Sequence, residues 1–293
     1  MKNKKIAIIG ANGQLGSDLQ KALSDKLPYN IYPLTHADIE ITKQDNMVEV
    51  LDNIQPDVVI NTAAYNNVDE SESNPQKALL VNSIANKYLA EYCKKKNSIL
   101  VYISSDYVFG FDEKRNIPYI ESDYPGPINT YGISKLAGEY FVLSICKKYF
   151  VIRTSGLFGI AGSSGKGGNF ITTMLQLAKV KKEISVVNDQ IISPTYTRDL
   201  AKQIHYLIRT SAFGLYHATS EGQCSWYEFA KTIFRLTKTA VLIRSIPSSL
   251  YQSAAKRPSY SVLENHKLKK LGIHNMRNWK EGLYDYLQEK GYI

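Results

Sequence analysis

A tyrosine and a lysine at helical spacing, with two serines ahead of them, are the residues of this chain best suited to acid–base chemistry. Tyr131 and Lys135 stand four apart in the segment from Thr130 to Lys135, so they share one face of a helix and the ammonium can lie near the phenol. A nearby cation favours phenolate and is expected to lower the tyrosine pKa from about 10 toward neutrality. Ser104 and Ser105 end the fourth apolar run. The spacing alone is weak evidence in a chain with 21 tyrosines, so the prediction also depends on a glycine-rich segment.

That segment, near the amino terminus, is typical of a phosphate-binding turn. Gly10, Gly13 and Gly16 follow the first apolar run and open the first helical segment with the spacing G-x-x-G-x-x-G. The usual dinucleotide fingerprint is G-x-G-x-x-G, but both spacings bring bare backbone to phosphate at a helix amino terminus. Glycines also mark purely structural turns. The strand–turn–helix context favours dinucleotide binding.

The end of the second predicted strand does not choose between NAD and NADP. An acid that holds the ribose hydroxyls commonly stands about 20 residues beyond the glycines, whereas this strand ends Pro33-Leu34-Thr35-His36 without an acid or an arginine. Asp38 and Glu40 lie just beyond, and Asp38 is equally suited to capping the next helix. Both NADPH and NADH therefore stay open as the cofactor.

The elements that must position these residues alternate along the first half of the chain. Short apolar runs predict strands at Ile6–Ile9, Ile31–Leu34, Val58–Ile60, Ile99–Ile103 and Phe150–Thr154. Amphipathic segments between them predict helices at Gly16–Leu27, Asp45–Ile54, Pro75–Lys96 and Tyr131–Tyr149. Such alternation is typical of parallel β-α-β winding. We therefore predict an α/β fold with a doubly wound, Rossmann-like parallel sheet.

A second and smaller lobe is predicted after Arg153-Thr154-Ser155, where the pattern changes. A Gly/Ser-rich stretch from Gly162 to Gly168 precedes a helix-like Phe170–Lys179 and a strand-like Ile184–Val187, and Thr195–Ile208 looks like a helix that returns to the first lobe. We predict a dinucleotide-binding domain over residues 1–155, with 195–218 returning to it, and a discontinuous α+β substrate-binding lobe over 156–194 and 219–293.

Composition limits the class of protein and its partners. The 293 residues are 44% hydrophobic and 22% charged, enough to bury a core. A formal net charge of +9 favours an anionic partner, but the lysines form short clusters near predicted element boundaries, where helix ends attract cations. Nucleic-acid binding is therefore not expected. No run reaches the roughly 18 apolar residues of a spanning helix, so no membrane partner is expected.

The cysteines and the amino terminus indicate a cytoplasmic protein. Cys93, Cys146 and Cys224 are an odd number at wide spacing without C-x-x-C, which argues against a disulfide framework or a zinc site and fits a reducing compartment. The first apolar run ends at Gly10, too short for a secretory signal.

Taken together, the motifs resemble the extended short-chain dehydrogenases/reductases, and within them the dTDP-4-dehydrorhamnose reductases. The resemblance runs nearly end to end. Besides the glycine turn and the Tyr131 to Lys135 segment it rests on residues 56–65 with Val68, Asp69 and Glu72, on 104–109, 153–155, 168–170, 188–190 and 193–195, and on Arg257-Pro258.

The resemblance implies a reductase of a 4-keto-6-deoxy nucleotide sugar. Tyr131 would donate a proton to the C4 ketone oxygen while a hydride passes from nicotinamide to C4. Lys135 would hold the nicotinamide ribose and Ser105 would polarise the ketone. Asp106 would contact the sugar. Arg257 is a candidate for the nucleotide diphosphate, with an exposed surface arginine as the alternative.

The further residues that the resemblance implies fall into two groups. Cofactor contacts are expected from Gly10, Gly13, Gln14, Leu15, Gly16, Glu40, Ile41, Ala63, Ala64, Tyr65, Asn66, Ser104, Tyr131 and Lys135. Substrate contacts are expected from Ser105, Asp106, Asn169, Phe170 and Arg257.

Two departures from the family pattern matter. Gly156 stands where relatives commonly place a tryptophan beside the sugar, which implies a wider or differently shaped sugar pocket.

Some relatives bind magnesium through carboxylates at a dimer contact. Asp18 matches one of these, but Arg198 stands where another acid is expected. We therefore predict no metal and leave a homodimer open.

Three other functions fit part of this pattern. A nucleotide-sugar 4,6-dehydratase carries an Asp-Glu pair where this chain has Asp106-Tyr107, so the elimination would lack its acid. A nucleotide-sugar C4 epimerase uses the same tyrosine and lysine and is harder to exclude. A non-catalytic homologue, of the kind that regulates methionine adenosyltransferase, is disfavoured by the intact Ser105, Tyr131 and Lys135.

Overall fold

The computed structural model describes residues 3–24, 29–162 and 168–293. The strands are β1 Lys4–Ile9, β2 Tyr29–Leu34, β3 Val58–Asn61, β4 Ile99–Ser105, β5 Tyr149–Thr154, β6 Leu157–Phe158, β7 Glu183–Val187, β8 Ile191–Ile192, β9 Thr195–Tyr196, β10 Gly214–His217, β11 Cys224–Ser225 and β12 Leu242–Ile246. The α-helices are α1 Gln14–Ser24, α2 Gln44–Ile54, α3 Val68–Ser73, α4 Pro75–Leu79, α5 Ala85–Lys96, α6 Thr130–Ile145, α7 Phe170–Val180, α8 Thr197–Leu207, α9 Trp226–Leu236, α10 His266–Lys270 and α11 Trp279–Glu289.

A six-stranded parallel sheet in the order β10-β5-β4-β3-β1-β2 forms the centre of the molecule. The chain winds outward from β1 to β2 on one side and from β3 to β5 on the other. The strand order therefore reverses between β1 and β3, where α/β sheets bind ligands at the carboxyl ends of their strands. The predicted doubly wound α/β fold is confirmed.

Alternate residues of the sheet strands build a core on each face. In β1, Ile6 and Ile8 contribute to the apolar cluster that also holds residues of α1 and α8. Ala7 and Ile9 contribute to the cluster that holds residues of α2, α5 and α6. Both faces are covered by helices, so the strands are apolar on both sides, as parallel strands usually are.

A further apolar cluster lies beyond the central sheet. It includes Phe158, Ile171, Phe229 and Leu283, from β6, α7, α9 and α11. Between 156–194 and 219–293 the chain returns to the sheet: α8 joins the core on the α1 face and β10 pairs with β5. The division into domains stays a prediction.

Some predicted boundaries differ from the structure. The single helix expected over Pro75–Lys96 contains a π-helical turn at Leu80–Ile84, between α4 and α5. The end expected for the first helix and most of the Gly/Ser-rich stretch fall on residues 25–28 and 163–167, outside the described residues. Over the described parts of the chain, no helix has the length and apolar character to cross a bilayer.

Candidate functional site

The glycine-rich turn leaves β1 at the point where the strand order reverses. Gly10 has a φ of +78°, and its amide donates to the Leu34 carbonyl at 2.9 Å. A Cβ on Gly10 would lie 2.8 Å from Thr62 Oγ1, and one on Gly16 would lie 2.3 Å from the Gly10 carbonyl oxygen. Side chains are excluded at both positions, so the turn holds bare backbone against the start of α1.

A cavity of about 510 Å³ opens beside this turn. It extends from the first turn of α1 to the segments that follow β2 and β3. Most of the predicted cofactor residues line it, namely Gly10, Gly13, Gln14, Leu15, Glu40, Ile41, Ala63, Ala64, Tyr65 and Asn66. Gly16 is buried behind the turn. The bare backbone, the helix amino terminus and the position at the strand reversal fit a dinucleotide with its pyrophosphate at the turn.

Gly13→Val is expected to weaken dinucleotide binding. A Cβ on Gly13 would lie 3.2 Å from the Gly10 carbonyl oxygen, so a small backbone shift admits a side chain. The branched side chain would then occupy the space that phosphate must enter. We expect the Kd for NADPH, measured by titration, to rise at least about tenfold with a nearly unchanged thermal midpoint. Wild-type affinity would contradict the assignment of the turn.

A second cavity, of about 550 Å³, adjoins the first. Both cavities are lined by Gln14, Thr62, Ala64, Asn66, Ile103 and Leu157. The predicted residues that line the second are Ser104, Ser105, Asp106, Tyr131, Lys135, Asn169, Phe170 and Arg257. The structure thus brings the three predicted catalytic residues to one space, and this space connects with the candidate cofactor cleft.

Tyr131 stands in the first turn of α6, near Ser105 at the end of β4. Burial raises the pKa of Tyr131 to about 12; a hydrogen bond with Ser105 lowers it and the Asp106 carboxylate raises it further. The expectation that Lys135 would shift this pKa toward neutrality is therefore wrong, because desolvation dominates. A phenol with this pKa is protonated at neutral pH, which is the state a proton donor needs.

Lys135 lies at the floor of the same cavity. Its side chain is 2% exposed, and Nζ donates to the Ile103 carbonyl at 2.6 Å and lies 4.4 Å from the centre of the Tyr102 ring. Desolvation lowers the pKa of Lys135 to about 7, and the Glu139 carboxylate opposes this shift. Near neutral pH the ammonium therefore depends on Glu139 for part of its stability.

A buried ion pair ties α6 to β5 next to this lysine. Glu139 and Arg153 are 1% and 3% exposed, and the guanidinium donates two hydrogen bonds to the carboxylate at 2.9 and 2.7 Å. Glu139 also accepts from Ser104 Oγ at 2.6 Å. The Ser104 hydroxyl thus has a partner within the protein, and its contact with the cofactor stays a prediction. Neighbouring strand residues face opposite sides, so Ser105 points the other way.

Asp106 is held by three serine hydroxyls. Ser105 donates to Oδ1 at 3.0 Å, and Ser155 and Ser261 donate to Oδ2 at 2.8 and 2.6 Å. Burial raises the pKa of Asp106 to about 6, although these hydrogen bonds lower it. A hydroxyl that donates to Asp106 cannot donate to a ketone at the same time. The protonation state of Asp106 therefore affects what Ser105 can do.

The activity should depend on pH through Asp106. Below a pH of about 6 the carboxyl is neutral, which releases the Ser105 proton and removes a negative charge that raises the pKa of Tyr131. We expect kcat/KM to rise as the pH falls through this value. Asp106→Asn keeps the group neutral, so its profile should lack this limb. A variant that keeps the limb would contradict this assignment.

Gln14 and Asn169 connect the glycine turn to the second lobe. Gln14 Oε1 accepts from the Gly159 amide at 2.9 Å and from Asn169 Nδ2 at 3.2 Å. Asn169 Oδ1 accepts from the Thr172 amide at 3.1 Å and caps α7. Both side chains line the second cavity, but these polar atoms already have partners within the protein. Their proposed contacts with ligands stay predictions.

Arg257 reaches the second cavity from the carboxyl-terminal part of the chain. Its guanidinium donates to both carboxylate oxygens of Asp69 at 3.2 and 2.6 Å, and its side chain is 19% exposed. The alternative of an exposed surface arginine is therefore wrong. The ion pair ties the segment around Arg257 to α3 at the edge of the site, and the contact with a diphosphate stays a prediction.

Sequence reasoning missed Asn82, which lies in the π-helical turn. Its Nδ2 donates to the Tyr65 carbonyl at 3.0 Å and to Ser134 Oγ at 2.9 Å, and its Oδ1 accepts from the Tyr65 amide at 2.9 Å. It therefore fixes a residue of the first cavity relative to α6. The signal available in the sequence was an asparagine in the interior of a predicted helix, where asparagine is disfavoured. Asn82 lies in a π-helical turn, and such turns often lie at functional sites.

Gly156 shapes the wall of the second cavity. It has a φ of +52°, and a Cβ there would lie 3.2 Å from Ile192 Cδ1 and from Pro194 Cα. A tryptophan at this position would be strained, since side chains disfavour this conformation. The backbone of this chain is thus adapted to glycine at the position where the family resemblance led us to expect a tryptophan.

Asp18, the carboxylate that matched the magnesium pattern, lies near the cationic side chains of Lys21 and Arg198. Asp18 accepts from Thr197 Oγ1 at 2.6 Å. Glu289 accepts from Arg198 Nη1 at 3.3 Å and lies 3.5 Å from Lys21 Nζ. Among residues 3–24, 29–162 and 168–293, no group of three or more His, Cys, Asp or Glu is placed to hold a metal ion. These residues do not fit the magnesium site, and the absence of a metal stays a prediction.

Comparisons with known proteins extend the likeness over the whole chain. Residues 4–291 match the family described as the RmlD substrate binding domain. A crystal structure of dTDP-4-dehydrorhamnose reductase from Bacillus anthracis strain Ames, in complex with NADP, is 41% identical, with a TM-score of 0.92 over 98% of this chain and 100% of that one.

Two curated relatives agree with this match. The spore coat polysaccharide biosynthesis protein SpsK of Bacillus subtilis is 39% identical, over 98% of each chain. The dTDP-4-dehydrorhamnose reductase of Aggregatibacter actinomycetemcomitans is 35% identical, over 95% of this chain and 97% of its own length. The chain therefore belongs to the dTDP-4-dehydrorhamnose reductase family of extended short-chain dehydrogenases/reductases.

Proposed function

We propose that this protein reduces the C4 ketone of a 4-keto-6-deoxy nucleotide sugar, and that dTDP-4-dehydro-L-rhamnose is its substrate and dTDP-L-rhamnose its product. The observation that carries the proposal is the meeting of Ser105, Tyr131 and Lys135 at a cavity that opens into the glycine-turn cleft. The family membership supports the same reaction.

Side chains of the protein donate the proton and position the reacting groups. A bound NADPH or NADH supplies a hydride to C4. Ser105 donates a hydrogen bond to the ketone oxygen, and Tyr131 transfers its phenolic proton to the same oxygen as negative charge develops there. Lys135, fixed by the Ile103 carbonyl, is the candidate to hold the nicotinamide ribose. The ketone gains one hydride and one proton to become an alcohol, and the phenolate recovers its proton from solvent.

The cleft beside β2 is compatible with both nicotinamide cofactors. Glu40 accepts hydrogen bonds from Thr42 Oγ1 at 2.7 Å and from its amide at 3.0 Å, and lies 3.5 Å from His36 Nε2. The strand end carries no acid that would repel a 2′-phosphate, and His36 and Thr35 line the cleft. We propose NADPH as the main cofactor, with NADH accepted.

A C4 epimerase is the second candidate, since Tyr131 and Lys135 suit both reactions. An epimerase returns the hydride to its substrate, so it causes no net oxidation of reduced nicotinamide. The purified protein should be mixed with each reduced cofactor and a panel of 4-keto-6-deoxy nucleotide sugars that differ in base. Stoichiometric loss of nicotinamide absorbance is expected with the dTDP sugar. No loss across the panel would leave a regulatory homologue or an epimerase.

The cellular compartment and the oligomeric state are also part of the proposal. Cys93, Cys146 and Cys224 are buried free thiols, as expected for a reducing cytoplasm. We propose a cytoplasmic enzyme that acts as a homodimer. Light scattering on the purified protein tests the dimer.

A further inference from the structure

Glu72, one of the residues on which the family resemblance rests, is not among the residues that line the two cavities. From its contacts we infer that Glu72 is a positioning residue. Its carboxylate fixes the first turn of α6 and so holds the Tyr131 phenol where it can protonate the ketone oxygen. The inference rests on the proposed function, because it concerns the placement of the proton donor in that reaction.

Tyr131 lies in the part of a helix that is held least firmly by the helix itself. It is the second residue of α6; the first four amides of a helix have no acceptor within it, and helix ends fray. A proton donor must lie within about 3 Å of the atom that it protonates, and a misplacement of about 1 Å can lower the rate about 100-fold. The first turn of α6 therefore needs partners from other segments of the chain.

Glu72 binds this turn at the residue directly before Tyr131. Its Oε1 accepts from the Thr130 amide at 2.8 Å, and its Oε2 accepts from the Thr130 hydroxyl at 2.8 Å. The negative charge also lies at the positive end of the helix dipole, where it is stabilising. Asn129 caps the same turn, because its Oδ1 accepts from the Gly132 amide at 2.7 Å. The amides on both sides of Tyr131 are therefore bonded.

The opposite side of the turn packs against the segment that follows Ser105. A Cβ on Gly132 would overlap the Tyr107 carbonyl oxygen, so the helix comes as close to this backbone as glycine allows. The rings of Tyr107 and Tyr131 meet edge to face, with their centres 6.0 Å apart. The turn is thus held from two directions. Loss of the contact with Glu72 would let Tyr131 move relative to Ser105.

The short helix that carries Glu72 is itself anchored. A helix of six residues such as α3 is not stable alone. Asn67 caps its amino terminus, and Asp69 accepts from the Ala255 amide at 3.0 Å and from Arg257 Nη2 at 2.6 Å. Glu72 therefore reaches α6 from a fixed support.

The test is a double-mutant cycle on the full chain, measured by single-turnover oxidation of NADPH at saturating dTDP-4-dehydro-L-rhamnose. Glu72→Ala should lower the rate about 10- to 100-fold while the Kd for NADPH stays within about twofold of wild type. In the Tyr131→Phe background the same substitution should change the rate less than about twofold, because the hydroxyl that it positions is already absent. Glu72→Gln keeps one acceptor oxygen and should have an intermediate rate.

Asn278→Ala is the matched control, since it removes a helix cap remote from the chemistry. Asn278 caps α11 by accepting from the Lys280 amide at 3.0 Å, and it is not among the residues that line the cavities. Its loss should lower stability and leave the rate unchanged. If Glu72 were only a structural cap, Glu72→Ala would behave in the same way.

Hydrogen exchange, measured by mass spectrometry, separates this inference from the proposed reaction. Glu72→Ala should speed exchange in the peptide that carries the first turn of α6 and not in the peptides of the central sheet. Unchanged exchange in that turn, or an equal fall in rate in both backgrounds, overturns the positioning role. If the wild type reduces no sugar, faster exchange in this turn still supports the role of Glu72 in fixing it, and the proposed reaction fails alone.

Discussion

Tyr131→Phe is expected to lower kcat for ketone reduction by about 10²- to 10⁴-fold, since it removes the general acid and little else. The ring keeps its place in the first turn of α6, and the hydroxyl is the only atom lost. Burial keeps that hydroxyl protonated, with a pKa of about 12, so it is available as a donor across the neutral range. Single-turnover oxidation of NADPH measures the loss, and a titration should give a Kd for NADPH within about twofold of wild type.

Tyr140→Phe is the matched control for this variant. Tyr140 lies on the same helix, is 58% exposed and is not part of either cavity, so its loss of a hydroxyl should leave kcat unchanged. A Tyr131→Phe enzyme that reduces the ketone at the wild-type rate would remove the proposed proton donor.

Glu139→Gln is expected to have the largest effect on stability. Breaking a buried ion pair by neutralising one partner leaves the other charge uncompensated and costs about 3–5 kcal/mol. Arg153 is 3% exposed and has Glu139 as its ion-pair partner, so it would carry that cost. Urea unfolding should show a lower midpoint with an unchanged slope.

The same variant should change the titration of Lys135. The Glu139 carboxylate counteracts the desolvation that lowers the pKa of Lys135 to about 7. Without it the pKa falls further, so any activity that needs the ammonium is lost at a lower pH than in the wild type. Glu91→Gln is the control, because Glu91 and its partner Lys87 are both 41% exposed and 3.6 Å apart, and exposed pairs contribute less than about 1 kcal/mol. Equal stabilities of the two variants would contradict the role of the buried pair.

The sequence predicted the sheet well because its signals are local. The apolar pattern of a strand can be read over a few residues, as at Ile6–Ile9. A glycine that allows close approach of backbone to backbone, such as Gly10 or Gly16, can be read just as locally. The separation of Ser104 from Ser105 was also available in principle, since adjacent strand residues face opposite sides.

The properties that depend on distant contacts could not be predicted in this way. The pKa of Tyr131 is set by burial that several segments create together, and a helical spacing to Lys135 says nothing about desolvation. Arg257 meets Asp69 only because the carboxyl-terminal part of the chain folds back onto α3. The left-handed φ of Gly156 likewise depends on the path between β5 and β6. The sequence therefore showed that glycine replaces the expected tryptophan, but not the backbone conformation that favours glycine.

The fate of the hydride tests the central claim most directly. Reduced nicotinamide carrying deuterium at C4 should be incubated with the protein and dTDP-4-dehydro-L-rhamnose, and the sugar product analysed by NMR. We expect one deuterium, bound to C4 of the sugar, in a single stereoisomer and in equal amount to the cofactor oxidised. A product without deuterium at C4, or a sugar that is never reduced, would contradict the assignment of Ser105, Tyr131 and Lys135 to ketone reduction.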